Sequence, residues 1–143
     1  MMTCQPAPST EAGEAVASWL SHVMDIPDDG ALAGVLEQAE NYILVKDGET
    51  VGWLGLVKCL DGLWTLDMAI RPEWQGKWAT RDLLMQIATF LFTPDRQFLV
   101  LHAKRAGAVK LALRMGAKPY YDGAMNCGVY ILSKDNYFNG RLA

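Results

Sequence analysis

Apolar residues near the start of the chain recur at helical spacing. Ala12, Val16, Trp19, Leu20 and Val23 fall on one stripe, which predicts a helix that begins with Ser9 or Thr10 as N-cap and ends before Pro27. Met2–Pro6 ahead of it reads as a short strand. Leu32, Val35 and Leu36 lie on one side of a second short helix, with Asp29 as its cap. The period then changes. Asn41–Lys46, Thr50–Leu60 and Leu63–Ile70 are β-rich runs, separated by Asp47-Gly48 and Asp61-Gly62, two strong hairpin signals. A helix is expected over residues 79–92, with Leu83, Leu84, Ile87, Ala88 and Leu91 facing inward, and Phe98–His102 reads as a buried strand. Ala108, Leu111, Ala112 and Met115 place a last helix, closed by Gly116 as a left-handed cap, and Pro119–Asp122 and Gly128–Ser133 are the final strands.

The order is β-α-α-β-β-β-α-β-α-β-β. Hairpins join the middle strands, and a strand–helix–strand crossover must lay the fifth strand parallel to the fourth. The fold class is therefore α/β, a mixed and mostly antiparallel central sheet with helices on both faces. With 143 residues, the chain is expected to form a single domain over 1–143.

Composition removes several functions. Lys and Arg number 13 against 16 Asp and Glu, a net charge of −3, so a broad basic face for nucleic acid is not expected. No apolar run reaches the length of a membrane span, and MMTCQPAPST has neither the basic nor the apolar region of a secretory signal. Cys4, Cys59 and Cys127 are far apart and odd in number, which argues against a disulfide scaffold or a zinc site and suits a reducing cytoplasm. His22 and His102 are the only histidines, so no metal centre is expected.

The segment Leu66–Leu84, LDMAIRPEWQGKWATRDLL, carries the candidate chemistry. A strand ends at Ile70, a glycine-containing turn follows, and a helix begins. The amide N–H groups and the positive dipole end at such a helix start favour an anion such as a pyrophosphate, and Lys77 and Arg81 add positive charge. Any strand–turn–helix also needs a small residue and a polar turn, so a lone glycine is weak evidence by itself.

Order and segment together resemble the GNAT family of N-acetyltransferases, over nearly the whole chain. The run Ile70-Arg71-Pro72-Glu73-Trp74-Gln75-Gly76-Lys77 is similar to that family's fourth strand and acyl-CoA loop. The resemblance implies acetyl-CoA as cofactor, with Ile70, Gln75, Gly76, Lys77, Trp78, Ala79, Thr80 and Arg81 along the CoA-binding loop. It implies that the backbone near Ile70 orients the acetyl carbonyl. The sequence departs from the pattern where the family has two small residues, Gly-x-Gly or Gly-x-Ala: here stand Trp78-Ala79-Thr80. An indole at Trp78 either obstructs the cradle, with added strain if its backbone must be left-handed, or packs on a neighbouring surface. The Thr80 hydroxyl could reach a phosphate.

The resemblance also implies a tyrosine as general acid on the last long helix. Aligned on Gly116, that position is Ala112, which has no proton to give, and Tyr120 and Tyr121 are the nearest substitutes. Asp67 and His102 are the candidate general bases. Each also reads as an ordinary strand residue, solvated or hydrogen-bonded. Two functions from different classes follow: an acetyl-CoA-dependent transferase acting on a primary amine, and a GNAT-fold protein that has kept the scaffold without the chemistry. For the second, Trp53, Trp64, Trp74 and Trp78 around the central strands would suit a protein partner or homo-oligomer if exposed. The short chain is also similar to GNAT-like proteins of tailed bacteriophages, which implies a host cytoplasm or a virion as location and phage particle proteins as partners.

Overall fold

The computed structural model describes residues 2–27, 30–103, 105–123 and 125–139. Its elements are strand β1 (Met2–Pro6), helices α1 (Ser9–Val16), α2 (Leu20–Met24) and α3 (Ala31–Gln38), strands β2 (Glu40–Lys46), β3 (Glu49–Leu60) and β4 (Gly62–Ile70), helix α4 (Arg81–Leu91), strand β5 (Arg96–His102), helix α5 (Ala106–Arg114), strands β6 (Lys118–Asp122) and β7 (Met125–Ser133), and helix α6 (Lys134–Asn139). A single 3₁₀ turn, Pro72–Trp74, follows β4. The strands form one seven-stranded sheet in the order β1-β2-β3-β4-β5-β7-β6. β4 and β5 pair in parallel, while β1–β2, β2–β3, β5–β7 and β6–β7 are antiparallel, as the crossover argument requires.

The chain groups into two compact units, Met1–Val57 with Asp67–Gln86, and Lys58–Leu66 with Ile87–Ala143. In the first, Ala7, Ala12, Val16, Trp19, Leu20, Leu36, Trp53 and Ala69 form the core. Val51–Leu56 of β3 are buried without interruption, which means that both faces of this strand are covered. The indole of Trp53 folds along its own strand over Gly55. A Cβ at Gly55 would stand 2.3 Å from the ring, so only glycine fits beneath it. The indole N–H donates to Asn41 Oδ1 at 2.9 Å, and Asn41 Nδ2 donates to the carbonyls of Leu36 (2.7 Å) and Ala39 (3.0 Å) at the end of α3. One buried amide thus ties a helix end to the core tryptophan and leaves no polar group unpaired.

In the second unit the alternation along β5 is plain. Leu99 and Leu101 are buried, whereas Phe98 is 45% exposed and His102 is exposed. The buried strand expected over 98–102 is therefore covered on one face only. Phe92 meets Tyr137 edge to face, with ring centroids 5.7 Å apart.

Several local expectations are corrected. The long first helix is interrupted at Trp19 (φ −138°), where burying a large indole outweighs continuing a short helix that contains Gly13 and Ser18. Its N-cap is Pro8, whose carbonyl accepts the first helical bond from Ala12, so Ser9 and Thr10 lie inside the first turn. Asp29, read as the cap of α3, lies outside the described residues; the N-cap position is Gly30. The hairpin Asp47-Gly48 has both residues left-handed (φ 52° and 78°), as a type I′ turn demands. Helix α6 carries no periodic signal long enough to read in the sequence.

Candidate functional site: the loop from strand β4 to helix α4

The loop lies wholly in the first unit. Ile70 is buried at the end of β4, and the Arg71 N–H continues the ladder by donating to the Val51 carbonyl at 2.9 Å. The Arg71 guanidinium is held between two carboxylates, Glu49 across the sheet and Glu73 (2.8 Å) on the 3₁₀ turn. Gln75 reaches back, its Nε2 donating to the Ile70 carbonyl at 3.1 Å. The Lys46 ammonium lies 5.2 Å from the ring centroid of Trp74. Gly76 is left-handed (φ 78°), the geometry that turns the chain toward α4.

From there the loop bonds to itself. Gln75 N–H donates to the Pro72 carbonyl, Lys77 N–H to Trp74, and Thr80 N–H to Trp78. Thr80 is the residue before α4, and its Oγ1 accepts from the Leu83 N–H at 3.2 Å. That is a side-chain N-cap on the third helical residue. The oxygen of the hydroxyl expected near a phosphate thus accepts a bond from the helix itself. Asp82, in the first turn, complements the helix dipole with a carboxylate.

Trp78 is only 5% exposed and is not among the non-glycine residues with positive φ. Its indole packs into the protein, which is the packing reading of the two given above, and the strain of a left-handed tryptophan does not arise. Lys77, Thr80, Arg81 and Asp82 are exposed and Ala79 is half-buried. Sequence reasoning missed Asp82 and the Glu49–Arg71–Glu73 clamp. The pattern Thr80-Arg81-Asp82, a capping hydroxyl followed by an acid, was a readable signal for the first.

Asp67 and His102 belong to different units, Asp67 to the first and His102 to the second. Asp67 is half-buried and shares its strand face with Ala69 of the core. His102 ends β5 opposite Val129 of β7, on the exposed face with Phe98. Ala112 is 2% exposed inside α5, while Tyr120 and Tyr121 are exposed on β6. Of the five tryptophans, Trp19, Trp53 and Trp78 are buried, and Trp64 and Trp74 are half-buried beneath Arg96 and Lys46. The exposure that an interface of tryptophans around the central strands requires is met in full by none of Trp53, Trp64, Trp74 and Trp78. Among the described residues no group of His, Cys, Asp and Glu could hold a metal, and no helix is long and apolar enough to cross a membrane.

The amides of Gln75, Lys77, Thr80 and Leu83 have acceptors within the chain, and Asp82 places a carboxylate in the first turn of α4.

No family model matches this chain, and no curated protein matches its sequence. Its structure does match known ones. A GNAT family acetyltransferase from Elizabethkingia anophelis with acetyl-CoA bound is 14% identical at a TM-score of 0.67, over 92% of this chain and 97% of that one. Spermidine/spermine N-acetyltransferase SpeG from Vibrio cholerae is 13% identical at 0.67, over 97% and 98%. Aminoglycoside acetyltransferase AAC(6')-Ib in complex with coenzyme A is 15% identical at 0.71, over 99% of both chains. At such identities the likeness is one of architecture, and the fold of this chain is that of the GNAT acetyltransferases.

Proposed function

We propose that this chain is a GNAT-fold protein that keeps the scaffold without acetyl transfer and acts as a binding or structural component. The observation that carries the reading is the bonding of the loop: the N–H groups of Arg71, Gln75, Lys77, Thr80 and Leu83 all donate to acceptors inside the chain. A cradle for a nucleotide thioester needs such donors turned outward. The apolar Ala112 at the general-acid position supports the same reading. The partner we propose is a protein or a second copy of the chain. Among the described residues the exposed large apolar ones, Phe98, Tyr120, Tyr121 and Met125 with Leu60 and Leu113, all belong to the second unit. If the chain is phage-encoded, its place is the host cytoplasm or the virion, and recovery from purified particles is the test of the second.

The alternative is an active acetyl-CoA-dependent N-acetyltransferase acting on a primary amine. Gly76 favours it, since the left-handed turn of the loop is retained. Titration with acetyl-CoA separates the two. A ligand present at 100 times its Kd stabilises the fold by about 2.7 kcal/mol, a readily measured thermal shift. The non-catalytic reading expects no shift at millimolar acetyl-CoA. A shift, followed by thiol release over a panel of amines that Asp67→Asn abolishes, establishes the transferase instead.

A further inference from the structure

We infer that what bars coenzyme A from this loop is the head of helix α4, closed by Thr80 and Asp82, and not the bulk of Trp78. The inference rests on the non-catalytic reading above and identifies the residues responsible for it. From the sequence, the indole at position 78 is the conspicuous obstacle. In the structure that ring is buried and its backbone is outside the left-handed region, so the indole does not stand over the loop as an exposed plug.

The helix head is different. An anion binds there by taking N–H groups that have no partner within the helix, assisted by the positive dipole end. Of these groups at the head of α4, Thr80 N–H donates to the Trp78 carbonyl at 2.9 Å and Leu83 N–H to Thr80 Oγ1 at 3.2 Å. Asp82 sits in the same first turn as a fixed negative charge. It satisfies the dipole as a bound phosphate would and repels a diphosphate that approaches. Lys77 in the loop and Arg81 at the start of α4 are exposed and supply the positive charge that an anion would still meet. Both closing groups are exposed side chains, so they can be removed without opening the core. Glycine is an accepted N-cap residue, which keeps Thr80→Gly compatible with the helix.

Free coenzyme A titrated calorimetrically into wild type, Asp82→Asn, the pair Thr80→Gly with Asp82→Asn, and Trp78→Gly tests this, with folding of each checked by circular dichroism. The expected result is no binding by wild type and binding by the double variant at least about tenfold tighter than any seen for Trp78→Gly, weakening as salt is raised. Asp82→Asn alone, a change at an exposed residue, should show part of the gain. Two outcomes overturn the inference: a folded double variant that binds no better than wild type, or a folded Trp78→Gly that binds while the double variant does not. Tight binding by wild type defeats the non-catalytic reading instead, and the order of the variants then still decides between helix head and indole.

Discussion

The guanidinium of Arg96 lies 4.8 Å from the ring centroid of Trp64, with its Nε donating to the Leu91 carbonyl at 3.0 Å and a second nitrogen to the Phe90 carbonyl. Arg96 is 3% exposed, an unusual place for a charge, and the last carbonyls of α4 are what make it tolerable. The Trp64 indole N–H in turn donates to the Asp95 carbonyl at 3.2 Å. One side chain therefore caps a helix and covers an aromatic face.

Replacing Arg96 with lysine should destabilise the protein by about 1.5–3 kcal/mol. An ammonium keeps the charge but cannot present two N–H groups in a planar fork while lying flat on an indole. Urea unfolding of the two proteins measures the difference, and an unchanged midpoint would contradict the geometry.

Gly55→Ala should cost about 1–3 kcal/mol, because the new methyl would meet the Trp53 ring at 2.3 Å and the indole, 1% exposed, is packed in the core. Tryptophan fluorescence during unfolding reports on it. The indole would shift against Asn41, so loss of that hydrogen bond adds to the penalty.

Two left-handed glycines separate backbone strain from steric overlap. At Gly76 (φ 78°) a Cβ meets nothing within 4 Å, so Gly76→Ala should cost only the conformational strain of about 1–2 kcal/mol. At Gly116 (φ 95°) the same Cβ would lie 2.3 Å from the Asn136 carbonyl oxygen, a backbone atom that cannot swing aside. Gly116→Ala should therefore be clearly the worse of the two, and equal denaturation midpoints would refute this.

Burial pushes the Cys4 thiol up to about 12 and the Tyr137 hydroxyl above its ordinary value. Both groups are raised on folding, so the native state holds protons that the unfolded chain releases at lower pH. Their contribution is complete below about pH 9, the unfolded thiol value, and is lost as pH rises toward 12. Stability measured by urea unfolding should fall on the alkaline side, and Cys4→Ala should flatten part of that fall. At pH 8 a thiol reagent should modify the exposed Cys59 and Cys127 and spare Cys4 until the protein unfolds.

The legible parts of this molecule were those that short-range geometry dictates. Asp47-Gly48 must turn as it does because both residues take left-handed backbone, and Gly116 ends α5 for the same reason. The strand–helix–strand crossover forces β4 and β5 parallel whatever the side chains are. Legibility of the loop was uneven. Its boundaries and Gly76 could be read, but whether Trp78 points outward could not, since an indole between lysine and alanine has the same local sequence in either case.

The amino-acid order by itself determined the strands, the helices between them, the parallel pairing of β4 with β5 and the position of the loop, because hydrophobic period, turn residues and chain connectivity act over a few neighbours; it did not show the break at Trp19 or helix α6. Tertiary structure alone decided that Trp78 is buried, that Arg96 serves as a helix cap, that β5 has an open face, and that Glu49 and Glu73 share Arg71. Each of these depends on which distant segment comes to lie alongside, and the free energy of burying or pairing a side chain is set by that neighbour rather than by the residue's place in the chain.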